Sequence, residues 1–327
     1  MQKENDNTAA TGVAAALREL SRRPCPKRPR FKQTTKLTPS SWIGGNTMSL
    51  KRTGSILAIM ATILFLGATT AHGQTSGTST TTESETDSTN AATNPVTPKV
   101  TLQAWNNWLP RPSGTGGRGG NSLLSRNIIP VKIFGVTNLF HVEEPIDTNP
   151  AVPGGTQTGL DGTILYNLSA VKVGTTTYGS GPLVVLPTET STKCGPEKWQ
   201  AGVAALVMDA PKWGLLGGIF TYQHSFGKGP GSATEEATFQ TFIHYNIGNG
   251  SFLQSEGVTQ INSGTGVRVV PVGLGIGKAW KYTSGATLSG FLEPQYSVWR
   301  RGAGAPTWQL FSGISVQIPV EFKLWNK

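Results

Sequence analysis

Trp308-Gln-Leu-Phe-Ser-Gly-Ile-Ser-Val-Gln-Ile-Pro-Val320 separates cleanly by parity. Trp308, Leu310, Ile314, Val316, Ile318 and Val320 fall on one face, interrupted by Ser312, while Gln309, Gly313, Ser315 and Gln317 fall on the other with Phe311. Strand side chains alternate faces, so the stretch reads as a strand with one apolar and one mostly polar face. Soluble proteins favour strands of ~5–6 residues. A tilted membrane-crossing strand needs roughly 9–11, and a terminal Trp suits a membrane interface. The pattern therefore predicts a barrel strand in a membrane.

Working outward, the chain repeats this unit. Strands are expected over 127–136, 163–173, 177–187, 198–208, 213–226, 236–247, 251–261, 267–280, 285–299 and 307–320. Breaks between them alternate in length, short at 173–177, 209–212, 248–250 and 281–284, and longer at 137–162, 188–197, 227–235, 262–266 and 300–306. Outer-membrane barrels show this asymmetry, with short periplasmic turns and longer external loops. The expected fold is an all-β antiparallel transmembrane β-barrel of about ten strands, with eight to twelve reached by slipping a pair. At ten strands the lumen is narrow and partly filled by side chains.

Five of the nine tryptophans, Trp199, Trp213, Trp280, Trp299 and Trp308, sit at strand ends, with Tyr178, Tyr282 and Tyr296 nearby. Amphipathic rings favour the headgroup level, so these form an expected aromatic belt. In 285–299, Leu288, Leu292, Tyr296 and Val298 are assigned to lipid, and Ser289, Glu293, Gln295 and Ser297 to the lumen. In 236–247, Phe239, Ile243, Tyr245 and Ile247 face out, while Gln240, His244 and Asn246 face in. Gln309, Ser315 and Gln317 complete the expected lumen lining. A charge on the lipid face costs roughly 2–4 kcal/mol at mid-depth, so Glu293 must point inward. Arg268, Arg300 and Arg301 are its candidate partners. Gly273, Gly275, Gly277 and Ala279 are read as leaving room in the lumen.

The rest of the chain delivers the barrel. Charged residues are 14% of the 327, below the ~25% of soluble domains. The net charge of +10 is concentrated at one end: residues 1–52 hold 11 Lys/Arg and 3 Asp/Glu, leaving the body close to neutral. That distribution argues against a nucleic-acid partner, which needs a basic face. Residues 1–47 read as a basic extension or an upstream start. Residues 48–73 carry a basic Lys51-Arg52, an apolar run over 56–68 and a small-x-small site at Ala71-His72-Gly73, which is a signal-peptide pattern. Residues 74–125 read as a flexible Thr/Ser- and Gly-rich tether, because 74–94 holds almost no apolar residues to bury. Within it, 101–108 is open to three placements: a lumen plug, an interfacial piece or an extra strand. The barrel is assigned to 126–320 and a tail to 321–327.

Catalytic and metal signals are poor. There is no Gly-x-Ser-x-Gly elbow, no paired carboxylates at fixed spacing and no His/Asp/Glu cluster, so no cofactor and no metal are expected. His224-Ser225 resembles a fragment of an acyl-transfer site, but adjacent strand residues point to opposite faces. Gly273-Leu-Gly-Ile-Gly-Lys278 lacks the following helix of a phosphate cradle. Cys25 and Cys194 are the only cysteines, and loss of the N-terminal segment leaves Cys194 alone.

Several motifs together resemble one bacterial outer-membrane family. They are Gly179-Ser-Gly-Pro-Leu-Val-Val-Leu-Pro-Thr188, Lys198-Trp-Gln-Ala-Gly-Val-Ala-Ala-Leu206, Trp213-Gly-Leu-Leu-Gly-Gly, Phe242-Ile-His-Tyr-Asn246, Val270-Pro-Val-Gly-Leu-Gly-Ile-Gly-Lys278, Pro294-Gln-Tyr296 and Trp308-Gln-Leu-Phe. A weaker echo lies at Asn127-Ile-Ile-Pro130. The family carries the labels transporter, "neuromedin U-like" and phenol-degradation meta-pathway outer-membrane protein. The resemblance implies an outer-membrane barrel whose transported substrates are poorly defined. Family chains tend to end near a strand-terminal aromatic, and 321–327 departs from that by running on. The expected function is passage or binding of small solutes, hydrophobic ones among them, without chemistry. Expected partners are outer-membrane lipid and an unidentified small solute, with the oligomeric state open. The rival readings are a secreted soluble β-sandwich binding module, which needs shorter and more charged strands, and a lipid-modifying barrel enzyme, which needs a His beside a Ser.

Overall fold

The computed structural model describes residues 85–151, 155–191, 193–227, 233–320 and 322–324. The expected extension at 1–47 and signal peptide at 48–73 lie outside the described residues. The segment that opens the sequence reading is a strand, β15 (Trp308–Ile318), flanked on both sides. It pairs antiparallel with β14 (Thr287–Arg301) and with β1 (Val100–Leu109), the first strand of the chain. Onward from β1 the sheet runs through β2 (Gly120–Ile133), β3 (Val136–Ala151), β5 (Thr163–Val173), β6 (Thr176–Leu186), β7 (Gln200–Asp209), β8 (Gly214–Ser225) and β9 (Glu235–Gly248). Two broken staves follow, β10 (Ser251–Ser255) with β11 (Val258–Asn262), and β12 (Arg268–Gly273) with β13 (Gly275–Lys281). The result is a closed antiparallel barrel of 12 strands. Closure leaves no sheet edge, which is what lets a sheet stand in a medium that cannot satisfy backbone groups.

Two strands separate this barrel from the expected ten. The first is β1, so 101–108 takes the strand among its three open placements, and the barrel begins at Val100 rather than Arg126. The second is β3, inside what reads as a long loop over 137–162 because of its acids and prolines. Pairing with β5 stops at Glu143, and pairing with β4 (Gly155–Leu160) starts at Ile146. Pro145 sits at that handover, where a missing N–H is tolerated.

Short connections alternate with long ones. β2 and β3 join through Phe134-Gly135, with φ of 49° and 81°, the left-handed pair that a two-residue hairpin turn needs. With an even number of staves, both ends of the barrel chain lie at the short-turn rim.

Two further elements occupy that rim. A helix, α1 (Glu85–Thr93), forms within the expected flexible tether. Besides the burial of Ala92, it is held by hydrogen bonds: Asn90 Nδ2 donates to Pro211 O, Asn246 Nδ2 donates to Asn90 Oδ1 at 2.7 Å, and Gln317 Nε2 donates to Ala92 O at 2.9 Å. Composition alone misses it because its partners, the Asn246 and Gln317 side chains and the Pro211 carbonyl, are remote in sequence. Within the 321–327 tail, β16 (Phe322–Leu324) pairs in parallel with the overhanging end of β2.

Candidate functional site

The barrel interior divides into two walls. Along β2, β3 and β5–β9, buried Ile128, Leu139, Leu168, Leu183, Leu206, Met208, Leu215 and Phe242 pack into one apolar cluster. Along β10–β15 the inward positions are mainly polar, with Gln254, Glu256, Glu293, Gln295, Ser315 and Gln317 all buried. The same period-2 alternation generates both walls, and only the inward residue types differ.

At mid-depth the polar wall and the β2–β3 hairpin meet in a continuous network. Arg126 and Glu143 are direct cross-strand partners, and their side chains form an ion pair at 2.6 Å. Tyr166 Oη donates to Glu143 Oε1 at 2.9 Å, and His141 stacks on the Tyr166 ring at 4.2 Å. The Arg126 guanidinium lies over Trp105, 4.2 Å from the ring centroid, and reaches Gln240 Oε1. Gln240 Nε2 in turn donates to Glu256 Oε1 at 2.6 Å, and His244 Nε2 lies 3.7 Å from Glu256 Oε2.

Glu256 reaches the interior because its stave breaks there. Pro271 on the neighbouring stave has no N–H, the β12–β14 register shifts beside it, and β10–β11 is interrupted between Ser255 and Val258. The freed backbone is satisfied from inside: Glu256 N donates to Glu293 Oε1 at 2.9 Å and Oε2 at 3.1 Å. Gln254 Nε2 and Gln295 Nε2 complete the carboxylate's donors at 2.9 and 3.0 Å. Glu293 does point inward, 0% exposed, but none of Arg268, Arg300 and Arg301 is its partner. Arg268 lies instead over Trp299.

The network forms a waist between two chambers. On the long-loop side is a cavity of about 340 Å³, lined by Asn107, Asn121, Ser122, Asp147, Thr148, Asn149, Glu236, Gln260 and Gln309, with Val258, Val267 and Val269. On the short-turn side a cavity of about 50 Å³ lies among Trp105, His141, Phe242, His244, Phe252 and Gln317, floored by Ala92–Pro95. That is room for roughly three or four water molecules. The glycines read as leaving space do not leave it empty. A Cβ on Gly277 would meet the Phe252 ring at 2.3 Å, and one on Gly275 would meet Glu293 Cβ at 2.6 Å. Phe311, placed with the polar positions of its strand, packs edge-on against Trp105 and Phe291.

Of the residues expected in the lumen, Gln240, His244, Glu293, Gln295, Ser315 and Gln317 are buried inside. Asn246 and Gln309 are half-buried towards opposite rims, Asn246 under α1 and Gln309 beside Gln295. Trp199, Trp213, Trp280, Trp299 and Trp308 lie on the outer surface, each between 42% and 57% exposed. Trp299, Trp308 and Tyr296 gather at the long-loop end, and Trp213 stacks with Tyr245 at the short-turn end. Between these girdles the outer face exposes Val203, Val207, Phe220, Phe239, Ile243, Val272, Ile276, Leu292 and Ile314. Arg126, Glu143, Tyr166, His141 and Glu256 escape the sequence reading. The recoverable signal is the Arg126–Glu143 pairing, visible only once β3 is recognised as a strand.

His224 is exposed on the outside while Ser225 is buried, its hydroxyl accepting from Thr234 N at 2.8 Å. Among the described residues no group of three or more His, Cys, Asp or Glu is placed to hold a metal ion.

No family model matches the chain, and no curated protein sequence matches it. Among solved structures it is similar to an outer membrane channel from Pseudomonas putida F1, at 11% identity and a TM-score of 0.48, over 67% of this chain and 96% of that one. A bacterial polysaccharide outer membrane secretin aligns at 9% identity and a TM-score of 0.32, over 67% and 97% of the two chains.

Proposed function

We propose that this chain is an outer-membrane β-barrel in which small solutes bind or through which they pass, with no reaction performed on them. The observation that carries the reading is the inversion of the molecule. An exposed apolar band between two aromatic girdles covers the outside, while buried Glu, Gln, His and Arg lie inside. An apolar surface of that extent needs a covering phase, and the girdles mark the height of a bilayer. In this reading the short turns and α1 face the periplasm, and the long loops and the larger chamber face outward. Membership in the transporter family that the motifs resemble is part of the proposal.

The lining of the outer chamber, mostly Asn, Ser, Thr, Gln, Asp and Glu, favours small polar solutes over the hydrophobic ones expected from sequence. Passage is gated, because the waist is hydrogen-bonded across and α1 floors the inner chamber. The soluble-sandwich alternative would leave the outer apolar band uncovered. The enzyme alternative lacks a His–Ser pair at His224-Ser225.

The test is extraction of the outer-membrane fraction in detergent and electrophoresis before and after boiling. A heat-dependent mobility shift is expected. Leu292→Arg, on the outer face, should weaken the fold by about 2–4 kcal/mol if that face meets lipid. Recovery as a soluble protein, with Leu292→Arg tolerated, would sink the reading.

A further inference from the structure

We propose that the interior selects small cations over anions, against the sign of the chain's net charge. This inference rests on the passage reading above. From the long-loop side inward, the ionisable groups along the lumen are Asp147 and Glu236 in the outer chamber, then Glu256, the Arg126–Glu143 pair, His141 and His244 at the waist. Arg126 is the one Lys or Arg among the described lining residues of either chamber, and Glu143 at 2.6 Å already neutralises it. Its guanidinium is further held by the Trp105 face and Gln240. Three carboxylates, Asp147, Glu236 and Glu256, therefore remain along the path, with His244 beside Glu256.

A second observation points to the same ligand charge. Gln317 lines the inner chamber and is 3% exposed, and its Nε2 is committed to Ala92 O, yet its buried Oε1 has no protein donor. In the outer chamber Asn107 Oδ1 and Asp147 Oδ1 likewise have no protein donor. Each of these atoms is an acceptor, and the Trp105, Phe242 and Phe252 rings lining the inner chamber add π faces. Oxygen acceptors plus ring faces suit a metal cation or an ammonium group giving up part of its hydration shell. The inner chamber also holds unpartnered nitrogens on Trp105, His141 and His244, so the preference for a cation is carried by the outer chamber, where the unpartnered atoms are oxygens alone. A narrow conduit lined by one sign of charge between low-dielectric walls also concentrates the opposite ion. The formal +10 carries no weight here, because residues 1–52 hold most of it.

The experiment is the reversal potential of the full chain in a planar bilayer under a KCl gradient, with K⁺ and Cl⁻ as the probes. K⁺ is expected to be preferred roughly tenfold, the low end of what a one-signed cleft provides. Asp147→Asn with Glu236→Gln should bring the ratio towards one while the heat-dependent gel shift stays intact. Those two side chains lie outside the waist network, and the wild-type ratio decides the sign even if the double variant folds poorly. A wild-type ratio of one, a Cl⁻ preference, or a K⁺ preference untouched by a folded double variant would each overturn the inference and leave the passage reading standing. A barrel that shows the gel shift and carries no current takes down the passage reading and this inference with it.

Discussion

Leu139, Leu168, Leu183 and Leu206 fill the interior along β3, β5, β6 and β7, whereas Glu256, Glu293, Gln295 and Gln317 occupy the inward positions from the β10–β11 break to β15. Both sets are almost fully buried, and they achieve burial by different means. The apolar wall needs only shape, so each leucine is satisfied by its neighbours. The polar wall needs partners, and each carboxylate stays buried only while named donors stay in place. A solute that offers its own donors can exchange with such partners, and nothing comparable is available to the leucines. Adaptability is thus confined to the polar network, and the leucine cluster is a fixed buttress.

Substitutions across the two walls separate these roles. Arg126→Ala leaves Glu143 buried without its cation and should cost about 3–5 kcal/mol. Replacing both partners by apolar residues, Arg126→Met with Glu143→Leu, should restore much of that. Leu168→Ala in the buttress should cost about 2–5 kcal/mol by leaving a cavity, with the K⁺/Cl⁻ ratio unchanged. The denaturant midpoint of the detergent-refolded barrel reads both, and an altered ratio in Leu168→Ala would break the division of labour.

Gly277→Ala should cost about 1–3 kcal/mol, because the added methyl meets Phe252 and the ring must shift into the inner cavity. The same measurement applies, and a neutral result would mean that Phe252 is free to move.

A pH-dependent effect lies beyond the barrel wall, at Asp161 between β4 and β5. Burial, with Asp147 close by, pushes its carboxyl from 3.8 up to about 8. The folded chain then holds a proton that the unfolded chain releases, so stability falls as pH rises from the lower value and levels off above the upper one. Hydrogen exchange of the 187–199 loop, where Thr190 N bonds to Leu160 O, should quicken over that range. Asp161→Asn should flatten the dependence, and a slope that survives the substitution would assign it to Glu189 or Asp147 instead.

Parity alone made much of this barrel legible. β15, β14 and β9 carry polar residues on one face and apolar ones on the other, so each face declares itself. β5 and β7 are apolar on both faces, as Val203, Leu206 and Val207 show, so their inward residues cannot be told from their outward ones. β3 hides behind Pro145, Pro150 and three acids because its outer half pairs with β4 beyond the reach of β5. With β3 unread, Glu143 has no place beside Arg126, and the waist network cannot be assembled. Glu256 is a different case. It enters the lumen through a stave break whose cause, Pro271, lies on another strand, and a local pattern holds no such information.

The parallel pairing of β16 bears on how the molecule is put together. β15 seals against β1, and β16 then steps past the start of β1 to lie along β2. Phe322–Leu324 therefore lie beyond the joint where the first and last strands meet. Because β16 is anchored on β2 and β15 on β1, the C-terminal strand works as a latch across the seam of the cylinder.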